Sequence, residues 1–368
     1  MDVSVARLAA SEVRRRPVSP TIVTMPRLRT VSPSSAGWTR RRAGRGFTYT
    51  DADGTRLPSD DALRCKALVI PPAWEELWIC PYPNGHIQAV GTDVAGRRQY
   101  LYHPAWRLKR DAAKHDRVLT VAARLPKARE QVAVDLALEG MPAERALATA
   151  FRLLDLGFFR IGGESYAEEN ESYGLATLLA EHVTISDHSV EFEYAAKSGR
   201  ERLVTIADDD VLDAVRTLKR RRGGGPGLFA YRDGRRWHDV TSGDINAYVK
   251  DVVGGEVSAK DFRTWHATVL AAVALAVSAH AGSPTARKRA VVRAMKEVAE
   301  YLGNTPAVAR ASYVDPRVVD LFSDGHTIEH ALRRLGEGAE IGHPATHGAV
   351  ERATLALLRN APRSRTAR

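Results

Sequence analysis

The chain has 368 residues, 44% hydrophobic and 27% charged, which suits about two globular domains and excludes a small disulfide scaffold. Its two cysteines, Cys65 and Cys80, form neither a C-x-x-C pair nor a zinc pattern with nearby histidines, and the setting read from them is reduced and cytoplasmic. The formal net charge of +10 points to a polyanionic partner, and it is carried by the ends. Residues 1–46 hold ten arginines against Asp2 and Glu12, and residues 326–368 hold seven arginines against four glutamates, so the middle of the chain is close to neutral.

Residues 1–45 are rich in Arg, Ser, Pro and Thr without a sustained period and are expected to form a disordered basic arm; Met25 is a second candidate start. No secretion signal is read at this end. Residues 46–104 alternate in short segments broken by Asp53-Gly54 and Asn84-Gly85, the strongest short hairpin signals, and predict a small antiparallel β domain with one helix begun by Ser59. In its last strand Gln99 and Leu101 face one side while Tyr100 and Tyr102 share the other, beside Arg97 and Arg98. Two aromatics next to two arginines suit a surface lying against a nucleic-acid backbone, though cross-strand packing explains them equally.

After Pro104 helical patterns dominate, over 105–122, 126–139, 143–156 and 164–181. Strands are predicted near 183–186, 189–194 and 202–206, with Lys197 at the tip of the hairpin joining the last two. A helix over 208–221 is followed by Gly223-Gly224-Gly225-Pro226-Gly227, which lacks the Lys-Ser/Thr ending of a phosphate-binding loop and reads as a linker. Ser242 opens another helix. Ser258 caps a long one containing Lys260, Arg263 and His266, which runs into the apolar stretch Ala267 to Ala281. That stretch is too short for the roughly 20 residues of a bilayer span and is expected to be a buried helix, so no membrane partner is expected. A helix from Pro284 to Leu302 ends at Gly303; Thr305 caps the next with Pro306 at its first position, and Pro316 stops it, displaying Tyr313 about two turns in. Residues 324–368 form a C-terminal arm in which His326/His330 and His343/His347 have the i, i+4 spacing of a metal pair but no cysteine or carboxylate support, so no metal is assigned.

A tyrosine attacking a phosphodiester needs cations on the non-bridging oxygens and a proton donor for the departing alkoxide. Arginine suits the first task because its planar fork stays charged, and lysine suits the second. The chain offers Arg160, Lys197, Arg263 and Tyr313 in that order, each near a loop or helix end.

The motifs Arg160-Ile161-Gly162 through Tyr166-x-x-Glu169-Asn170, Tyr173-Gly174-Leu175-x-Thr177-Leu178, Lys197-Ser198-Gly199, Lys260-Asp261-Phe262-Arg263-Thr264 and Leu302-Gly303-Asn304-Thr305-Pro306 through Ser312-Tyr313 resemble those of type IB DNA topoisomerases of the poxvirus-like bacterial branch. So does Gly96-Arg97-Arg98-Gln99-Tyr100-Leu101-Tyr102-His103, and the resemblance covers roughly residues 45–323. It implies an α+β fold: a small antiparallel β N-terminal domain over 46–104 and a mainly α-helical catalytic domain of the tyrosine recombinase/topoisomerase IB type over 105–323, closing as a C-shaped clamp on double-stranded DNA. It further implies that Tyr313 forms a 3′-phosphotyrosyl link, that Arg160 and Arg263 hold the scissile phosphate, and that Lys197 is the general acid. Gln99, Tyr100, Tyr102, Tyr166, Arg97 and Arg98 are then the DNA-touching positions, neither ATP nor another cofactor is needed, and the protein acts as a monomer on the nucleoid.

Where many relatives place a histidine to bond a non-bridging oxygen, the chain has Asn304, which can donate that bond without charge. His266 is placed to be mistaken for the missing histidine, and Gly163 and Ser165 stand where some relatives carry lysines. A tyrosine recombinase typically has histidine three residues before the second arginine, whereas this chain has Lys260. A non-catalytic DNA-binding protein would not require the four residues together.

Overall fold

The computed structural model describes residues 26–164, 167, 171–197, 199–335 and 346–361. Tyr166 and His343 lie outside these residues, as do residues 1–25 of the expected arm. The chain divides into two units, with the boundary between Lys109 and Arg110.

The first unit contains β1 (Thr39–Ala43), β2 (Gly46–Thr50), α1 (Ser59–Ala67), β3 (Glu75–Ile79), β4 (Ile87–Thr92) and β5 (Arg98–Tyr102). β1 and β2 form one antiparallel hairpin, and β3-β4-β5 form an antiparallel sheet around Asn84-Gly85 and the turn before Arg97. Tyr49, Leu57, Cys65, Ile70, Leu77, Ile79 and Ala89 make its core. Cys65 and Cys80 are free and buried, and burial pushes the Cys65 thiol up to about 11.

One expectation is corrected here. Within the span read as a disordered arm, residues 39–43 form β1, Trp38 bridges to Ile79, and Arg29 to Gly85. The arginine run Arg40-Arg41-Arg42 lacks a hydrophobic period because it is an edge strand held by its partner. Arg40 donates to the carbonyls of Ile70 (3.0 Å), Pro71 (2.9 Å) and Trp74 (3.1 Å) and covers the Phe47 ring. An edge strand stabilised in this way carries no alternation to read.

The long helix α2 (Pro104–Leu136) begins in the first unit and continues into the second. The sequence predicts a break before Pro126, yet the helix runs through it. The buried stripe Val118, Val121, Ala122, Leu125, Ala128, Val132 and Leu136 continues across the proline at helical spacing, and its packing outweighs the one lost backbone hydrogen bond.

The second unit continues with α3 (Ala143–Gly157), the antiparallel sheet β6 (Val183–Ile185), β7 (Val190–Ala196) and β8 (Arg200–Ile206), α4 (Asp209–Arg220) and the hairpin β9 (Ala230–Asp233) and β10 (Arg236–Asp239). Then follow α5 (Ser242–Val253), α6 (Ala259–Ala276), α7 (Pro284–Leu302), α8 (Pro306–Ser312) and α9 (Pro316–Ser323), with α10 (Glu329–Leu335) and α11 (Gly348–Arg359) beyond them. The centre is aromatic: Phe262 of α6 meets Phe151 of α3 edge to face, with centroids 5.1 Å apart, and Trp265 is fully buried. Burying each such side chain stabilises the unit by about 1.5–3 kcal/mol. The alanine-rich stretch lies in α6 only as far as Ala276; beyond it the chain turns and Val277 is exposed, and no helix among the described residues is long and apolar enough to cross a membrane.

Two further expectations change. The helix predicted over 164–181 is replaced, in its described C-terminal part, by two single 3₁₀ turns at Leu175–Thr177 and Ala180–His182. The cause is Gly174, whose extended backbone packs so closely on Gly162 that a Cβ would lie 2.5 Å from it. Residues 324–361 are not a free arm where they are described: Ile328, Val350 and Leu358 join the main core. These positions are sparse in sequence, and only the packing of α10 and α11 on α6 reveals the face they share.

Candidate active site

The nucleophile candidate is presented by two helix ends. α7 stops at Gly303, whose φ of +60° is the left-handed conformation that glycine adopts without strain. Thr305 accepts from the Val308 amide at 3.3 Å and Pro306 takes the first position, so α8 starts at once; it ends at Tyr313, and Pro316, read as its stop, instead opens α9 with Asp315 as its cap. The backbone there is pinned from two sides. Lys114 Nζ of α2 donates to the Ser312 carbonyl at 2.9 Å, and Thr268 Oγ1 of α6 donates to the Tyr313 carbonyl at 3.3 Å.

Arg160 follows the end of α3 by three residues. Phe158 turns the chain with φ +56°, a conformation that costs a side-chain-bearing residue about 1–2 kcal/mol. The next segment then pairs with the Gly174 turn through Leu175 N to Arg160 O (2.8 Å) and Ala176 N to Ile161 O (2.7 Å). Arg160 Nη2 donates to Asn304 Oδ1 at 2.6 Å.

Arg263 lies in the second turn of α6 and is only 3% exposed. Its Nη1 donates to the Phe158 carbonyl, its Nη2 to the Leu302 carbonyl at 2.8 Å, and its guanidinium centre sits 5.2 Å from the Tyr313 ring centroid. Four of the five expected catalytic residues, Arg160, Arg263, Asn304 and Tyr313, are thus drawn together from points up to about 150 residues apart in sequence. The fifth, Lys197, is exposed in the turn between β7 and β8, where Ala196 pairs with Arg200.

The electrostatics favour an anion. Burial, and then repulsion from Arg160, lower the affinity of Arg263 for its proton, while the Tyr313 phenol raises it. On Tyr313 burial works against ionisation, but the charges of Arg263, Arg160 and Lys260 outweigh it, so the phenol is held below its ordinary value of 10. Two buried donors, Arg263 Nε and Asn304 Nδ2, have no acceptor among the described residues. A buried donor left unpaired costs about 1–3 kcal/mol, which an oxygen-rich anion would relieve.

Sequence reasoning missed Arg202. Placed opposite Tyr194 on the hairpin that carries Lys197, it donates to the Tyr301 carbonyl (2.5 Å) and the Glu300 carbonyl (3.4 Å) at the end of α7. A Cβ on Gly303 would come within 3.2 Å of its Nη1. It therefore ties the hairpin to the turn bearing Asn304, a role visible only once strand register is known. Lys114 and Thr268 were likewise missed, for they act on backbone carbonyls and belong to no motif.

His266 does not join this group. It is fully buried with Nε2 at 3.1 Å from Asp155 Oδ1. Asp155, His266 and His347 bring their ligand atoms within 4.8 Å of one another, a spacing compatible with a metal. Both Asp155 oxygens already accept from Arg129, at 2.7 and 3.0 Å, so the cluster is held by an internal cation. His326 precedes α10 and His330 lies within it, so those two share no helical face.

In the first unit Tyr100 and Tyr102 stack at 6.0 Å with planes 13° apart, as their strand face requires, and Tyr100 is 43% exposed. Asp93 accepts from the Arg97 amide and Nε, each at 3.0 Å, and from Gln99 Nε2 at 2.9 Å. Those bonds, led by the Arg97 amide, pull its carboxyl to about 2. Arg97 and Gln99 are thereby held side by side, with Arg98 exposed between them.

A mainly helical unit that gathers two arginines, an amide and a tyrosine, preceded by a small antiparallel β unit, defines an α+β protein. The comparisons name the class. Residues 103–333 match the family model for the eukaryotic DNA topoisomerase I catalytic core, and residues 46–93 match that for the bacterial DNA topoisomerase IB N-terminal domain. The chain is 30% identical over 302 residues to DNA topoisomerase 1B of Acanthamoeba polyphaga mimivirus, covering 79% of this chain and 89% of the relative. It is 23% identical over 243 residues to DNA topoisomerase 1B of Vaccinia virus (strain Copenhagen), covering 65% of this chain and 74% of the relative. The chain belongs to the type IB DNA topoisomerase family, and the resemblance to its poxvirus-like bacterial branch holds.

Proposed function

We propose that the protein relaxes supercoiled duplex DNA by transient cleavage of one strand through Tyr313. The Tyr313 phenol gives its proton to water as its oxygen bonds to the scissile phosphorus, the bond to the 5′-oxygen breaks, and Lys197 supplies the proton that the 5′-oxygen takes. Lys197 recovers that proton when the 5′-hydroxyl attacks back, and Tyr313 leaves and is reprotonated by water. The strand, held as a 3′-phosphotyrosyl ester, turns about its partner, and the reverse attack reseals it. One phosphodiester replaces another, so the cycle needs no ATP, and the charge on the phosphoryl oxygens is met by Arg160 and Arg263, with Asn304 Nδ2 donating a neutral hydrogen bond. The observation that carries this reading is the Arg263 guanidinium held against the Tyr313 ring, its Nε and the nearby Asn304 Nδ2 being buried donors without an acceptor among the described residues.

In this reading Gln99, Tyr100, Tyr102, Arg97 and Arg98, together with Tyr166, contact the duplex, and the protein acts as a monomer closing on the nucleoid DNA of the cytoplasm. The basic N-terminal stretch adds long-range attraction.

The test is plasmid relaxation without ATP and with excess EDTA, followed by trapping in detergent and peptide mapping of the protein–DNA adduct. Relaxation with a 3′-phosphoryl link to Tyr313 is expected; no relaxation, or a link to another residue or to a 5′ end, sinks the proposal. Lys197→Ala is expected to slow cleavage by about 10²–10⁴-fold with little loss of DNA affinity. A 5′-phosphorothiolate at the scissile bond, whose sulfur leaves without a proton, should restore most of that rate. A variant that stays equally slow on the phosphorothiolate would show that Lys197 does something other than protonate.

A further inference from the structure

Beyond residue 333, where the family match ends, the chain returns to the core as His347 and α11 (Gly348–Arg359). That return brings buried polar groups with it. Glu351 is 3% exposed; its Oε2 accepts from Arg129 Nη1 at 2.6 Å, and its Oε1 accepts from Arg129 Nη2 at 3.0 Å and from Trp265 Nε1 at 2.8 Å. His347 Nε2 lies 3.3 Å from the Asp155 carbonyl oxygen and 3.4 Å from Asp155 Oδ1. Arg129, from α2, bridges Glu351 and Asp155, and His266 closes the group against Asp155.

This cluster sits behind the phosphate-facing arginines. Trp265 and His266 follow Arg263 by two and three residues on α6, and Asp155 precedes Phe158 by three at the end of α3. The Phe158 carbonyl accepts from Arg263, its ring meets that of His266 edge to face at 5.8 Å, and Arg160 lies two residues further on. The segments carrying Arg160 and Arg263 therefore meet at Asp155–His266, and that joint is braced from behind by groups belonging to the C-terminal segment. All of these contacts are made in the buried interior, although His266 Nδ1 has no partner among the described residues, and such a network is costly to disrupt when one member is removed.

We propose that Glu351 and His347 are positioning residues for the cleavage reaction: residues 346–361 lock the α3–α6 joint so that Arg160 and Arg263 face the scissile phosphate together. The proposal rests on the reading of Tyr313 as nucleophile. Neither residue touches DNA or the reacting atoms. Their effect passes through Trp265, His266 and Asp155, where a displacement of about 1 Å at the arginines is worth as much as about 10²-fold in rate.

The experiment uses the full chain. Glu351→Gln, Trp265→Phe and His347→Gln are compared with wild type in single-turnover adduct formation on a nicked suicide duplex, in equilibrium DNA binding and in thermal melting. Glu351→Gln is expected to slow adduct formation by about 10–100-fold while DNA affinity moves less than about 3-fold. Trp265→Phe, which removes the hydrogen bond to Glu351 together with part of a buried ring, should show a loss in the same direction; it and His347→Gln carry the test if Glu351→Gln does not fold. In an Arg263→Ala background each substitution should slow the remaining reaction by a smaller factor than it does in wild type, because only Arg160 is left for it to act through. Effects that multiply in that background, or wild-type rates in the folded single variants, would overturn the proposal. Failure of wild type to form any adduct would instead overturn the assignment of Tyr313.

Discussion

Replacing Tyr313 by phenylalanine is expected to abolish the covalent adduct and lower plasmid relaxation by about 10⁴-fold or more, with DNA affinity changed less than about 3-fold. The substitution removes one oxygen. The ring that lies 5.2 Å from the Arg263 guanidinium remains, as do the backbone bonds from Lys114 and Thr268 that fix this position. Arg160, Arg263 and Asn304 stay available to bind a phosphate, so binding and chemistry separate cleanly. Relaxation is read on agarose gels and the adduct by detergent trapping. Residual relaxation within about tenfold of wild type would mean that Tyr313 is not the nucleophile.

Arg263→Ala is expected to slow cleavage by about 10³-fold, through two losses. The phosphoryl oxygens lose a fixed, buried donor, an effect of about 10²–10³ by itself. The Tyr313 phenol also loses the cation that outweighs its burial, so its ionisation moves up and the rise of the cleavage rate with pH should move to higher pH. The thermal cost should stay below about 3 kcal/mol. The carbonyls of Phe158 and Leu302 lose their donor, but a desolvated guanidinium repelled by Arg160 is removed at the same time. Arg263→Lys should recover little of the rate, because one ammonium cannot span both carbonyls and still present a donor to the phosphate. A rate for Arg263→Ala within tenfold of wild type, or an unmoved pH profile, would contradict this account.

Much of the candidate site was legible because it is written in local signals. Gly303, Thr305 and Pro306 announce the end of α7 and the start of α8, and these caps act within a few residues, so they mount Tyr313 wherever the helices go. The hairpin tip at Lys197 follows from alternation on both sides of it, and the shared face of Tyr100 and Tyr102 from a period of two. The failures have causes that lie outside the local sequence. A helix was expected over 164–181 because its apolar spacing allows one, but the Gly162–Gly174 contact, twelve residues apart, imposes extended backbone. A proline was expected to divide α2, and a stripe buried on distant partners kept it whole.

By itself, then, the sequence determined the chemical inventory, its order, the two-part α+β organisation and the display of Tyr313. Tertiary structure alone decided that Arg160 reaches Asn304 across 144 residues and that Arg263 is clasped by the carbonyls of Phe158 and Leu302. It also decided that Arg202 ties the lysine hairpin to α7 and that Glu351 closes a charge network behind them all. The physical reason is that periodicity and capping state which face of an element is buried and where it stops, whereas a hydrogen bond between remote segments depends on how those faces pack. Backbone carbonyls, which accept from Arg202, Arg263, Lys114 and Thr268 here, are the same in every residue and leave no mark in the sequence.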